Sequence, residues 1–169
     1  MIVACLTAGC GYALAGRGSF LPDYIRVVGI PTFNNRSSVS GVDQMLTEKV
    51  RAEFIGRGKY RVVSDTTGPD AVLSGEILAI SLQAVGFTQQ QLASRYLFTL
   101  TMKVTFTDAR TSEVLWSNDA LTFREEYELS ARGATTVDGA AFFDQERSSL
   151  DRIAGDVARS VVTSILEAF

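Results

Sequence analysis

The sequence predicts an α+β fold: a two-layer sandwich, ordered β-α-β-β-β-α, in which a four-stranded mixed sheet carries two helices on one face. Three features predict it. A β-branched segment is followed by a helical pattern, as at the start of a β-α-β crossover. Three long segments with strand character come next, and the second alternates strictly between apolar and other residues. The chain then ends in an amphipathic helical pattern.

The first strand and the first helix are separated by a polar loop. Residues 24–30 are β-branched and lie between Pro22 and Pro31, which is typical of a strand. Residues 32–40 are rich in asparagine and serine, and Ser40 stands in an N-cap position. Apolar residues then recur at helical spacing until two glycines end the helix. These apolar residues are Val42, Met45, Leu46, Val50 and Phe54.

Three strands follow as a meander. Residues 70–83 form the first, and Gly75 is the weak point at which a bulge is favoured. The second, residues 96–107, puts apolar side chains on a core face. Its other face carries Leu97, Thr99, Thr101, Lys103, Thr105 and Thr107. A turn over residues 108–112 leads into the antiparallel return strand, residues 113–127.

The return strand needs a β-bulge to keep its apolar side chains on the core face. Uninterrupted pairing from the turn would put Leu121 and Phe123 on the polar face. We therefore expect one extra residue near residues 117–119, which also brings Arg124 to the face of Lys103. The expected pairs are Phe106 with Val114, Val104 with Trp116, Leu100 with Leu121 and Phe98 with Phe123.

A second helix is predicted from about Ala140 to the C-terminus, after a loop over residues 128–139. Its buried stripe is formed by apolar residues at helical spacing. They are Leu150, Ile153, Ala154, Val157, Val161 and Ile165.

The composition excludes much catalytic chemistry. The 169 residues include no histidine, so no Ser-His-Asp or Cys-His nucleophile and no HExxH zinc site can form. The net charge of −3 leaves no basic stripe for nucleic acid. Glu125 and Glu126 alternate between sheet faces, unlike the acid pair of a glycosidase, and Trp116 has the phase of a core residue. We expect no catalytic residues, no metal and no cofactor.

The first ten residues point to a lipid anchor. An apolar stretch is followed by small residues and then by Cys10, a pattern similar to a bacterial lipobox. There the cysteine thiol is diacylated and the new amino terminus is acylated, and two or more chains make a stable anchor. We therefore interpret residues 1–9 as a signal-peptide remnant and residues 10–169 as a single lipid-anchored domain, with Cys10 as the lipidation site.

The chain resembles the LptE family of lipopolysaccharide-assembly lipoproteins. The order and spacing of several short segments carry the resemblance, and no single motif decides it. The segments are residues 10–14 (Cys-Gly-Tyr-Ala-Leu), 21–22, 25–35, 70–77, 95–96, 108 and 111–116.

This resemblance implies an outer-membrane lipoprotein on the periplasmic side of a Gram-negative cell. Members of the family plug the lumen of the β-barrel translocon LptD, assist its assembly and can bind lipopolysaccharide. The implied partners are therefore an LptD-type barrel, lipopolysaccharide and, through acyl chains, the outer membrane.

Two sets of residues are the candidate binding sites. Thr99, Thr101, Thr105 and Thr107 form a polar face that suits the polar wall of a large barrel lumen. For lipid A phosphates, the candidate contacts are Arg95, Lys103, Arg110 and Arg124, since cations bind phosphate. An ordinary solvated sheet face and ordinary surface cations remain alternatives. The alternative functions are an accessory lipoprotein of another envelope lipid-transport system and a periplasmic hydrolase that uses carboxylates alone.

Overall fold

The computed structural model describes residues 21–87, 93–128 and 147–168. Cys10, the loop predicted after residue 128 and the start of the second predicted helix lie outside them. The described residues form six strands and two helices. These are β1 (Val27–Gly29), β2 (Asn34–Asn35), α1 (Val42–Gly56), β3 (Arg61–Val63), β4 (Ala71–Phe87), β5 (Ala93–Asp108), β6 (Val114–Glu128) and α2 (Arg147–Leu166).

The strands form one mixed sheet in the order β3-β1-β4-β5-β6, and β2 also pairs with β4. β1 is parallel to β3 and to β4, whereas β4, β5 and β6 are an antiparallel meander. The predicted fold class is confirmed, but the sheet has six strands and not four. β2 and β3 were missed because two and three residues are too short to show a period of two.

The prediction of a bulge at Gly75 is wrong. Gly75 pairs regularly with Val104, and the first of three register shifts along β4 comes between Ile77 and Ala79, which leaves Leu78 as the extra residue. Gly75 has another role, because a Cβ there would stand 2.7 Å from two ring atoms of Phe33. The glycine thus lets the ring pack against the strand.

The predicted bulge in β6 is confirmed. The pairing changes between Val104 opposite Asn118 and Met102 opposite Leu121, so one extra residue lies at Asp119 or Ala120. A second shift, near the turn, was not predicted. It moves Val114 opposite Thr107, where Val114 is 54% exposed and off the core face. Elsewhere in β6, each partner is the residue two positions later than expected, and it lies on the same face. Phe106 pairs with Trp116, and Leu100 with Phe123.

Both helices pack on the same face of the sheet. Leu46 and Val50 of α1 and Val157 and Val161 of α2 are buried with the core side chains of β5. Ser40 does not cap α1. The N-cap is Gly41, whose φ of 78° suits glycine, and no side-chain hydrogen bond caps the helix there. Within the described residues, neither helix is long and apolar enough to cross a membrane.

Candidate binding face of the sheet

The sheet face turned away from the helices is polar and made of small side chains, and we call it the open face. In β5 its threonines Thr99, Thr101, Thr105 and Thr107 are half-buried, and they share it with the exposed Lys103. Residues directly opposite on paired strands lie on the same face. The polar neighbours on β4 and β6 are therefore Ser74, Glu76, Ser81, Ser117, Thr122 and Arg124, and the apolar Val72, Ala79 and Val114 lie on the same face.

Four alternating charges cross the middle of the open face, and we call them the charge row. They are Arg36, Glu76, Lys103 and Asp119. Arg36 is ion-paired with Glu76, and the Lys103 Nζ lies 2.7 Å from the Asp119 Oδ1. Glu76 and Lys103 are directly opposite each other on β4 and β5. The hydrogen bond with Asp119 is the main cause that raises the pKa of Lys103, and the charge of Glu76 adds to it. Lys103 is thus a fixed cation with two carboxylates beside it.

Two more of the predicted cations lie at the far end of the open face. The Arg95 guanidinium is 3.5 Å from the Glu126 carboxylate, and both side chains are exposed. Arg124 stands opposite Thr99 and is exposed as well. Within the residues that the structure describes, the side chain of Arg124 makes no hydrogen bond or ion pair.

Arg110 lies at the other end, in the turn between β5 and β6. Its guanidinium is 4.4 Å from the ring centre of Tyr24 and 3.2 Å from the Asp70 carboxylate. The Tyr24 hydroxyl in turn donates to the buried Asp108. Arg110 therefore helps to join the start of β1 to the turn.

Hydrogen bonds hold the carboxylates of Asp70 and Asp108 in the charged form. Asp70 accepts the N–H groups of Arg26 and Val27, each at 3.0 Å, and these bonds lower its pKa. The Tyr24 hydroxyl and then the Arg110 N–H lower the pKa of Asp108. The same hydrogen bond with Asp108 raises the pKa of Tyr24. These groups fasten the end of the sheet, so Asp70 and Asp108 have a structural role.

The four predicted phosphate contacts do not converge on one point. Arg95 and Lys103 are eight residues apart on β5, which is about 26 Å at the usual rise per residue. Arg110 lies beyond the other end of the strand. A phosphate contact by any of them stays a prediction.

Arg36, Glu76 and Asp119 are members of the face that were not predicted from the sequence. The phase of Glu76 in a strand was a usable signal, because it follows Ser74 at a spacing of two. Asp119 reaches the face through the bulge, and Arg36 through the short β2, and neither has a sequence period to reveal it.

Glu125, Glu126 and Trp116 lie on the sheet faces that the alternation of the strand predicted. Glu125 binds Arg152 of α2 at 3.0 Å, on the helix side, whereas Glu126 binds Arg95 on the open face. Trp116 is partly buried and packs against the core. No group of three or more Cys, Asp or Glu side chains that could hold a metal ion occurs in residues 21–87, 93–128 and 147–168.

Solved structures with this fold come from several bacteria. A variant PelC dodecamer from Paraburkholderia phytofirmans has 12% identity and a TM-score of 0.51, over 89% of this chain and 96% of that chain. Rare lipoprotein B from Shewanella oneidensis has 10% identity and a TM-score of 0.50, over 83% and 93%. At such identities the likeness concerns the fold alone.

The sequence comparisons are more specific. No curated protein sequence matches the chain. The family model LptE, described as lipopolysaccharide-assembly, matches residues 25–165 and so covers most of the 169 residues. That span includes α1, α2 up to Ile165, all six described strands and the whole open face. The chain therefore belongs to the LptE family of lipopolysaccharide-assembly proteins.

Proposed function

We propose that this protein is a lipid-anchored, non-enzymatic plug of an LptD-type β-barrel, which it contacts through the open face. The observation that carries the proposal is the makeup of this face: short hydroxyl side chains surround charges that are mostly paired with one another. In this role the protein assists lipopolysaccharide transport and insertion at the outer membrane. The proposal assigns no residue to catalysis.

The wall of a barrel determines what kind of surface a plug must have. A closed barrel has no free strand edges, so a plug meets its wall through side chains. The lumen side of such a wall is polar. A plug therefore needs a polar face with little protruding bulk. The open face supplies it, because its threonines and serines are short and the helices cover the apolar side of the sheet.

Site-specific photocrosslinking tests the contact. A photoreactive amino acid is placed at Thr101 or Thr105, in cells that make the full-length protein, and the products are separated in detergent. The matched control carries it at Arg159, which is exposed on α2 on the other side of the domain. We expect the two threonine positions, and not Arg159, to give a covalent product with a large β-barrel protein.

Two results would overturn the proposal. One is tagged protein that repeatedly elutes from solubilised membranes without a barrel. The other is equal crosslinking from Thr101 and Arg159. An accessory role in another lipid-transport system predicts products with proteins other than a barrel. A hydrolase predicts an activity that is lost on replacing a single carboxylate.

Direct lipopolysaccharide binding belongs to the same proposal. The candidates remain Arg95, Lys103, Arg110 and Arg124. Charge reversal at both Lys103 and Arg124 tests two of these candidates, and weaker binding of purified lipopolysaccharide would assign these cations to phosphate. Unchanged binding would reject these two residues as contacts.

A further inference from the structure

The charges of the open face are nearly all neutralised by contacts within the face. Arg36 is paired with Glu76, Lys103 with Asp119, and Arg95 with Glu126. Among the described side chains of this face, Arg124 is left with an uncompensated charge.

The local geometry explains why Arg124 finds no carboxylate on its own chain. Its neighbour Glu125 points to the helix side and binds Arg152. Glu126 shares the strand face of Arg124 two residues on, but Arg95 already holds it. Directly opposite are Thr99 on β5 and then Ser81 on β4, which carry no charge.

A free cation on this face matters once another surface covers it. Burying an unpaired charge is strongly unfavourable, whereas a guanidinium bound by a carboxylate keeps paired hydrogen bonds. The surface that covers the open face must therefore supply acceptors at Arg124. Around the charge row, the covering surface needs only neutral polar groups, because the charges there are already paired with one another.

We infer that Arg124 is a specificity-determining contact of the open face, and that the protein wall seated on this face places one carboxylate against it. The inference rests on the proposed function and adds the chemistry of the partner at one position. A carboxylate fits better than a lipid phosphate. A phosphate monoester carries about 1.5 to 2 negative charges near neutral pH, whereas Arg124 supplies one positive charge and the described cations of β5, Arg95 and Lys103, are already paired with carboxylates.

A zero-length crosslink tests this pairing. The R124K variant places a primary amine at the same position, and a carbodiimide joins that amine to a carboxylate in contact with it. The new amide bond forms with loss of water, which converts the carbodiimide to a urea. The reaction is run on the purified complex with the barrel, and the linked peptides are identified by mass spectrometry. Lys103 is the internal control, since its contact is Asp119 and its link should stay within the chain.

We expect a link from position 124 of R124K to one Asp or Glu of the barrel, absent from the wild-type complex. The inference is overturned if no such link forms while the photocrosslink from Thr101 to the barrel persists. If the Thr101 product is also missing, the proposed function itself fails. The two failures are thus distinguishable.

Charge reversal gives a second, independent measurement. R124E should lower the amount of barrel recovered with the tagged protein at least tenfold, because two carboxylates would then oppose each other. R159E reverses the charge of an exposed arginine on α2 and should leave recovery unchanged. If R124E recovers the barrel normally but loses lipopolysaccharide binding, the cation serves a phosphate and the inference is wrong.

Discussion

Thr47 shows how one buried hydroxyl holds a loop against a helix. Its Oγ1 accepts the backbone N–H of Phe33 at 3.0 Å and donates to the carbonyl of Asp43 at 2.6 Å. The side chain is only 1% exposed, so water cannot replace these bonds. It thereby fixes the chain just before β2 to the first turns of α1.

Thr47→Val should lower the free energy of unfolding by about 1–3 kcal/mol, because it leaves the buried Phe33 N–H without an acceptor. Urea denaturation measures the change. The control is Thr163→Val, which removes an exposed bond from Arg57 and should change stability by no more than about 0.5 kcal/mol. Equal effects of the two substitutions would contradict the role given to Thr47.

The carboxylates of Asp70 and Asp108 make stability depend on acid pH. Folding lowers both pKa values, so the unfolded chain binds more protons as the pH falls. Their stabilisation is complete above the ordinary carboxyl pKa of about 3.9 and is lost as the pH falls through the lower folded values. Asp108→Asn should therefore be less stable than wild type at neutral pH, and the gap should narrow below about pH 4.

Urea denaturation at a series of pH values measures this gap. A difference between wild type and Asp108→Asn that stays constant down to strongly acid pH would contradict the assignment. Asp65→Asn is a suitable control, since Asp65 is exposed on the loop after β3.

At the scale of elements, alanine substitutions at two glycines are expected to have opposite effects on stability. A Cβ at Gly75 would meet the ring of Phe33 at 2.7 Å, whereas one at Gly155, inside α2, would have no neighbour within 4 Å. Gly75→Ala should therefore destabilise by about 1–3 kcal/mol through overpacking. Gly155→Ala should stabilise by about 1 kcal/mol through helix propensity. Thermal or urea unfolding of both variants decides the matter, and a stabilising Gly75→Ala would refute the close contact.

The long elements could be predicted from sequence, and the short ones could not. The alternation along β5 and the helical spacing of α1 each extend over enough residues to show a period. The bulge before Leu121 could also be predicted, because without it the apolar side chains of β6 would leave the core face. The positions of β2, β3 and the N-cap at Gly41 depend instead on where neighbouring segments pack. A segment of two or three residues is too short to show this in its sequence.

The same contrast holds for the open face. Its threonines and the presence of Arg124 on it follow from strand phase. The charge row does not follow from strand phase, because Arg36 lies on the face next to a short strand and Asp119 lies on it at a bulge. Consequently Lys103, which resembles a free cation in the sequence, already has a carboxylate at 2.7 Å in the structure.

At the scale of the whole molecule, the anchor at Cys10 is the first prediction. Cys10→Ala should abolish incorporation of a labelled fatty acid, because it removes the acylated thiol. Cys5→Ala is the matched control and should retain the label, since residue 5 is expected to leave with the signal peptide. Labelling is a better measurement than cell fractionation, because a barrel contact would keep the unacylated protein at the membrane. A labelled Cys10→Ala protein would refute the anchor.

The charge row also has a consequence for how the domain meets a partner in solution. Its two cations and two anions lie within contact distance of one another, which is short compared with the Debye length of about 8 Å at physiological salt. Seen from farther away they cancel, so this part of the face produces almost no long-range field. The charge row should therefore add almost no dependence on ionic strength to the rate of encounter, and the selectivity that it provides should arise only at contact.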